Sequence, residues 1–236
     1  MSSSQRAGLS AFALKMVMVV LMLGDHLAYF LPHIFPFELR FAGRLVAPTF
    51  AFLMSVSLLQ TRDRGQYMAR LAGAGVLMLL GSMALVRLLG GPPIFNTIFL
   101  SLALSAMLVD KIERIATRKG SLVFSLLVIC ALLFAIPHVE GSVLLPVMVI
   151  IFYFLRGHRL LMCIAFIAAT LLLWLLGGMV LHYQQLQVFA LIPIMLYNGQ
   201  RGGEHTGALG SKWFFYIFYP VHVWLLYVVR HFIFFA

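Results

Sequence analysis

The chain predicts an all-α polytopic membrane protein: one domain, residues 1–236, built as a bundle of about nine transmembrane helices, with a cytoplasmic N-terminus and a periplasmic C-terminus. Three observations carry this. Hydrophobic residues make up 63% of the 236 and charged residues 10%, against about 45–50% and about 25% in a soluble domain. Apolar runs fall near residues 9–31, 41–60, 67–90, 93–112, 121–137, 141–156, 159–181, 184–199 and 213–235, and roughly 20 apolar residues cross a bilayer core. Fixed positive charge then alternates between the connections. Arg6 and Lys15 flank the first span; Arg62, Arg64 and Arg70 surround the second connection; Lys111, Arg114, Arg118 and Lys119 fill the fourth. Arg156 and Arg159 fill the sixth, and Arg201 and Lys212 the eighth. The odd connections, Leu31–Arg40, Gly90–Pro93, Pro137–Gly141 and His182–Gln185, are poor in it. The positive-inside rule places the Arg- and Lys-rich side in the cytoplasm.

The same features exclude other classes. The mean hydropathy is +1.02, and no stretch between the apolar runs is long enough to fold alone. The net charge of +10 sits in short loops, where orientation in an anionic membrane accounts for it without nucleic acid. The start, MSSSQRAG, leads into a span too long for a signal core and without a small-residue cleavage site. Cys130 and Cys163 lie inside apolar runs without redox or metal spacing and read as buried thiols. No His or acidic cluster has metal-ligand spacing, so no metal is expected.

Taken in order, the first span, LKMVMVVLMLGDHLAYFL, carries Asp25 and His26 inside its apolar run. Intramembrane ionisable residues face a partner or a cavity. Neighbours on a helix point about 100° apart, so each of the two must look to a different helix. Arg44 stands near the outer start of the second span, with Pro48 one turn later. Arg87 ends the third, Asn96 opens the fourth, and His138 and Glu140 mark the fifth connection. Arg44 is a candidate partner for Asp25, and Glu140 for Arg87 or His26. A salt-bridge lattice would use the same residues, but His26 and Asn96 add chemistry that a lattice does not need. The third span contains LAGAGVLMLLGSMA, whose small residues suit close helix packing.

Further on, LYNGQRGGEHTGALGSKW is a glycine-rich connection with Arg201 and Lys212 beside it. Its glycines and cations suit an anion, and equally a flexible cytoplasmic loop. The last span holds Tyr219, Pro220 and His222. Pro220 frees backbone groups there, and His222 reads either as a packing residue or as a ligand-facing one. His33, His158, His182, His205 and His231 fall in loops or at interfaces.

Five segments, LKMVMVVLMLGDHLAYFL, FAGRLVAPTFAFLMSVSLLQ, FNTIFLSLALSAML, LYNG and KWFFYIFYPVHVWLLY, together resemble the TraX family, conjugation-associated membrane proteins linked to N-terminal acetylation of pilin. TrbP-like conjugal transfer proteins share the resemblance, and wider membrane acyltransferases, including the heparan glucosaminide N-acetyltransferases, are similar in turn. The resemblance implies a bacterial inner-membrane acetyltransferase with acetyl-CoA as donor and a pilin subunit as acceptor. It points to Asp25, His26, Arg44, Pro48, Asn96, Glu140, Asn198, Tyr219 and His222. Asp25, His26, Arg44, Asn96 and Glu140 are its catalytic candidates; Asn198, Arg201, Lys212, Tyr219 and His222 are the candidates for holding the donor.

CoA, a cytoplasmic polyanion, is expected to dock near Arg62, Arg64, Arg118, Arg201 and Lys212, with its pantetheine arm reaching toward His26. An N-terminal amine has a reference pKa of about 7.7–8.0 and is mostly protonated at neutral pH. His26 suits the base that must deprotonate it. Asn96 or Arg44 would stabilise the thioester oxyanion, and Asp25 would hold Arg44. An acetyl-histidine intermediate stays open. Rival readings are a surface sugar as acceptor, a non-catalytic pilin assembly factor and a small transporter.

Overall fold

The computed structural model describes residues 7–94, 96–177, 183–203, 206–207 and 212–234. Arg6, His182, His205 and the side chain of Lys212 lie outside the described residues. The helices are α1 (Ala11–Phe30), α2 (Leu39–Gly43), α3 (Val46–Gln60), α4 (Arg64–Leu89), α5 (Ile98–Ala116), α6 (Leu122–Ala135), α7 (Leu144–Phe154), α8 (Arg159–Leu176), α9 (Leu191–Met195) and α10 (Lys212–Phe234). Short 3-10 turns cover Ile136–His138 and Gln184–Ala190.

Local chemistry sets several boundaries. Ser10, Asp63 and Ser121 cap α1, α4 and α6, each accepting from the backbone N–H three residues on. Pro48 explains why the second apolar run breaks at Arg44: it has no N–H for the Arg44 carbonyl, and its ring crowds that oxygen. The run therefore folds as α2, a turn, and α3.

This is a helical membrane protein. Among the described residues, five segments are long and apolar enough to cross a membrane: Ala11–Phe30, Leu39–Gln60, Arg64–Leu89, Arg159–Leu176 and Trp213–Phe234. Other expected spans fold shorter. The sixth run is the 11-residue α7, about 16 Å long at 1.5 Å per residue. The eighth resolves into a 3-10 turn and the five-residue α9. The fourth becomes the 19-residue α5, which carries Asp110, Lys111, Glu113 and Arg114 in its last two turns. Leu122, Val123, Phe124, Leu127 and Phe134 of α6, and Leu160, Ile164, Leu172 and Leu176 of α8, are all exposed; apolar surface on this scale suits lipid. The two thiols follow these helices: Cys130 is exposed and Cys163 partly exposed. That corrects the expectation of buried thiols, because an apolar position on such a helix can meet lipid instead of protein.

The chain divides into two compact units, Met1–Phe50 with Val180–Ala236, and Ala51–Met179. In the second, α5 packs against α4, α6 and α7, and α7 against α8. Small residues allow this: Ser101, Ala103, Ser105 and Ala106 of α5 are buried. A Cβ on Gly75 of α4 would stand 2.5 Å from the backbone nitrogen of Leu100, so the two helices meet backbone to backbone. Phe52, Phe152 and Phe166 form a buried aromatic row with centroids 5.7 and 5.2 Å apart.

A polar clamp also joins α4, α5 and α7. Arg64 donates to Glu113 and, at 3.0 Å, to Tyr153 Oη, and stands 3.7 Å from Asp110. Tyr153 Oη donates to Glu113 at 2.8 Å, and Arg114 holds Asp110 at 2.7 Å. Removing Arg64 leaves a buried Asp110 and a half-buried Glu113 one turn apart with less compensation. Arg64→Met is therefore expected to destabilise the protein by about 2–3 kcal/mol, below the usual 3–5 for a fully buried pair because the pair is partly wet. Thermal melting of the variant in nanodiscs checks this.

Candidate active site

In the first unit, α1 packs against both α2 and α10. As the 100° step between helix neighbours requires, Asp25 and His26 turn to different helices. Asp25 Oδ1 accepts from Arg40 Nε at 3.4 Å and from Arg44 Nη2 at 3.5 Å. Arg44 also donates to the Arg40 carbonyl at 3.3 Å and to Gln184 Oε1 at 3.2 Å. Both guanidinium groups lie over rings: Arg40 over Tyr29 at 5.1 Å and Arg44 over Tyr183 at 5.2 Å. Gly43 makes the approach of α2 possible, because a Cβ there would stand 2.5 Å from both Cβ and Cγ of Asp25.

His26 turns to α10. Its Nδ1 lies 2.7 Å from Nε2 of His222, whose own Nδ1 lies 2.7 Å from the Phe218 carbonyl oxygen. The two rings are 20° from coplanar with centroids 5.0 Å apart. That separation is close to the nitrogen–nitrogen distance plus the two ring radii. The rings thus meet edge to edge in plane rather than face to face. His222 is 6% exposed. Tyr219 and Phe30 close round His26 with edge contacts at 5.9 and 6.4 Å.

The arrangement combines a hydrogen-bonded imidazole pair, able to take or give a proton, with two cations that share one carboxylate. Asp25, His26, Arg44, Tyr219 and His222 are all in this unit, and His222 touches His26. Arg40 and Gln184 went unrecognised in the sequence. Arg40 stands at a poorly charged connection, and its signal was its place one helical turn before Arg44.

Asn198 and Arg201 belong to a different part of the same unit. Leu9 pairs with Tyr197 in a single parallel bridge, and the carbonyls of Gln200 and Arg201 accept from Ala11 N at 2.8 Å and Phe12 N at 2.9 Å. The glycine-rich connection thus satisfies amides that the start of α1 would otherwise leave bare. Asn198 serves it too, donating to the Gly8 carbonyl at 3.3 Å and accepting from Gln200 N at 2.9 Å. Gly202, with φ +64°, lies against Ser10, leaving no room for a Cβ. Here the loop turns carbonyls, not amides, toward the helix; Arg201 itself is exposed.

Asn96 and Glu140 are in the second unit. Asn96 is 3% exposed and accepts from Ser82 Oγ at 2.9 Å. The Glu140 backbone is anchored at both ends, N–H to Thr97 Oγ1 at 2.9 Å and carbonyl from Ser101 Oγ at 2.5 Å. No ion pair joins Arg87 to Glu140 among the described residues. In that unit Arg64, expected among the CoA-docking cations, is engaged with Glu113 and Tyr153.

A family model described as TraX protein matches residues 10–230. The chain belongs to the TraX family. It is also similar to the probable fimbrial assembly protein FimC, serogroup H1, of Dichelobacter nodosus, at 26% identity over 252 residues, covering 94% of this chain and 96% of the relative. No solved structure matches. The TraX match takes in α1 through most of α10, and so every residue around Asp25 and His26 described above. Among the described residues no group of His, Cys, Asp and Glu is arranged to hold a metal ion.

Proposed function

We propose that this TraX-family protein is a multi-pass inner-membrane acetyltransferase that carries an acetyl group from cytoplasmic acetyl-CoA to the N-terminal amine of a pilin subunit. The single observation that carries the reading is the His26–His222 pair, joined at 2.7 Å between two apolar helices. Intramembrane ionisable groups of this kind are costly and mark functional sites. Family membership and a relative named as a fimbrial assembly protein support pilin as the acceptor.

The acceptor's ammonium first releases one proton to solvent, and His26 takes the second from the neutral amine as it attacks. The amine nitrogen attacks the thioester carbonyl, the C–N bond forms, the C–S bond breaks, and the proton passes to the departing CoA thiolate. Arg44 supplies positive charge for the developing oxyanion, and Asp25 with Gln184 keeps its guanidinium in place. Arg201 and Lys212 supply cytoplasmic charge for the donor's phosphates. The topology that accompanies the reading, about nine crossings with the N-terminus inside and the C-terminus outside, requires the short sixth and eighth segments to complete their crossings through the turns beside them.

The test is free-thiol release from acetyl-CoA by the purified protein in nanodiscs, with and without a pilin N-terminal peptide, and mass analysis of the peptide. Peptide-dependent release with one acetyl group added at the terminus is the expected result. Absence of both CoA binding and thiol release, in protein that melts cooperatively, overturns it in favour of a non-catalytic assembly factor. The similarity to a probable fimbrial assembly protein favours that second reading. Release that depends on a sugar acceptor instead would keep the acyl transfer and replace the acceptor.

A further inference from the structure

We infer that His222 is a positioning residue that holds His26 as its Nδ1–H tautomer, leaving Nε2 of His26 as the lone-pair nitrogen that meets the substrate. This rests on the reading of His26 as the base.

One atom in this chain of contacts has a fixed role. The Phe218 carbonyl oxygen can only accept, so Nδ1 of His222, 2.7 Å away, carries a hydrogen. A neutral imidazole has one ring proton, which leaves Nε2 of His222 as an acceptor. That nitrogen lies 2.7 Å from Nδ1 of His26. Two bare nitrogens at that distance would repel, so Nδ1 of His26 carries the proton and donates. The edge-to-edge arrangement, with ring planes 20° apart, aims this N–H along the lone pair it meets. Nε2 of His26 is then bare.

The other solution, a doubly protonated His222, needs a counter-charge. Among the described residues neither ring stands in an ion pair, and the neighbouring carboxylate, Asp25, is shared by Arg40 and Arg44. The neutral relay from the Phe218 carbonyl through His222 to His26 is therefore the one the surroundings satisfy.

The relay has a chemical consequence. A free neutral imidazole prefers its proton on Nε2, the nitrogen that must be bare in a base acting through that atom. His222 reverses the preference. When Nε2 of His26 takes the amine proton, the Nδ1–H donor becomes cationic, and its bond to His222 strengthens because it is then charge-assisted. The proton leaves again with the CoA thiolate, and the pair returns to its starting tautomers. Phe218, its ring stacked 4.7 Å from that of His222, holds the second ring in register.

The deciding experiment is nitrogen NMR of the full chain in nanodiscs with imidazole-labelled histidine, the His26 signals being those that vanish in His26→Gln. His26 is expected to show a protonated Nδ1 and a bare Nε2. In His222→Phe, which keeps a ring but has no acceptor, the proton is expected to move to Nε2 and kcat to fall about 100-fold, the low end of general-base effects. In His222→Gln, whose side-chain oxygen can accept in place of the ring nitrogen, the Nδ1–H form and part of the rate are expected to return. A bare Nδ1 on His26 in the wild-type protein, or an unchanged tautomer in His222→Phe, overturns the inference. The spectra need no substrate, so a protein with the expected tautomers and no transferase activity would count against the acetyltransferase reading alone.

Discussion

His26→Gln is expected to lower acceptor-dependent thiol release by about 10²–10⁴-fold, the range for loss of a positioned general base. Glutamine keeps roughly the reach of the imidazole, and its amide can still donate to His222. It cannot take a proton from an amine at neutral pH, so packing is kept while the chemistry is lost. The comparison is kcat/KM for wild type and variant in nanodiscs, beside a thermal melt to show that the variant folds. Full activity in a folded His26→Gln protein would remove His26 from the mechanism and send the search for a base elsewhere. Saturating CoA binding that survives the substitution would show that the loss lies in the chemical step.

Gly43→Val is expected to have the largest effect on the fold. Even the first added carbon would stand 2.5 Å from Cβ and Cγ of Asp25 and 2.9 Å from Oδ2. Asp25 cannot easily give way, because Arg40 and Arg44 both hold its carboxylate. Helix α2 must therefore retreat from α1, taking both arginines with it. The overpacking costs about 1–3 kcal/mol, and an unpaired carboxylate in an apolar helix adds about 2.5–3.5 kcal/mol. Together these approach the whole stability of many domains, so poor insertion or a melting temperature lowered by many degrees is expected. The clash is with one side chain, which allows a sharper check. Asp25→Gly combined with Gly43→Ala should recover more stability than the sum of the single effects allows. Additive losses in that cycle would mean that Gly43 is needed for another reason.

How much of the site could be read in advance depended on the range of each interaction. The ion pair between Asp25 and Arg44 was legible because opposite charges in consecutive apolar runs have few other partners in a membrane. Arg40, one turn earlier on the same face, was harder to see, since it looked like an ordinary loop residue. The contact between His26 and His222 spans 196 positions. Nothing in either segment states that α1 and α10 are neighbours, and a histidine in an apolar helix reads equally well as packing. Asn198 shows the reverse case. The family resemblance alone offered it as a residue for holding the donor, and in the structure its side chain bridges the Gly8 carbonyl and the Gln200 amide.

The amino-acid sequence alone determined the class of solvent, the helical character and the residues expensive enough to matter, because hydropathy and the cost of intramembrane charge are properties of composition and local order. Only the tertiary structure decided which of those residues meet. It put Gly43 under Asp25, split the second apolar run at Pro48, shortened the sixth and eighth runs, and set two histidine rings edge to edge. The physical reason is that a hydrogen bond is fixed to tenths of an ångström by helices whose adjacency is a property of packing. A one-dimensional pattern can say that a buried charge needs a partner, but not which helix brings it.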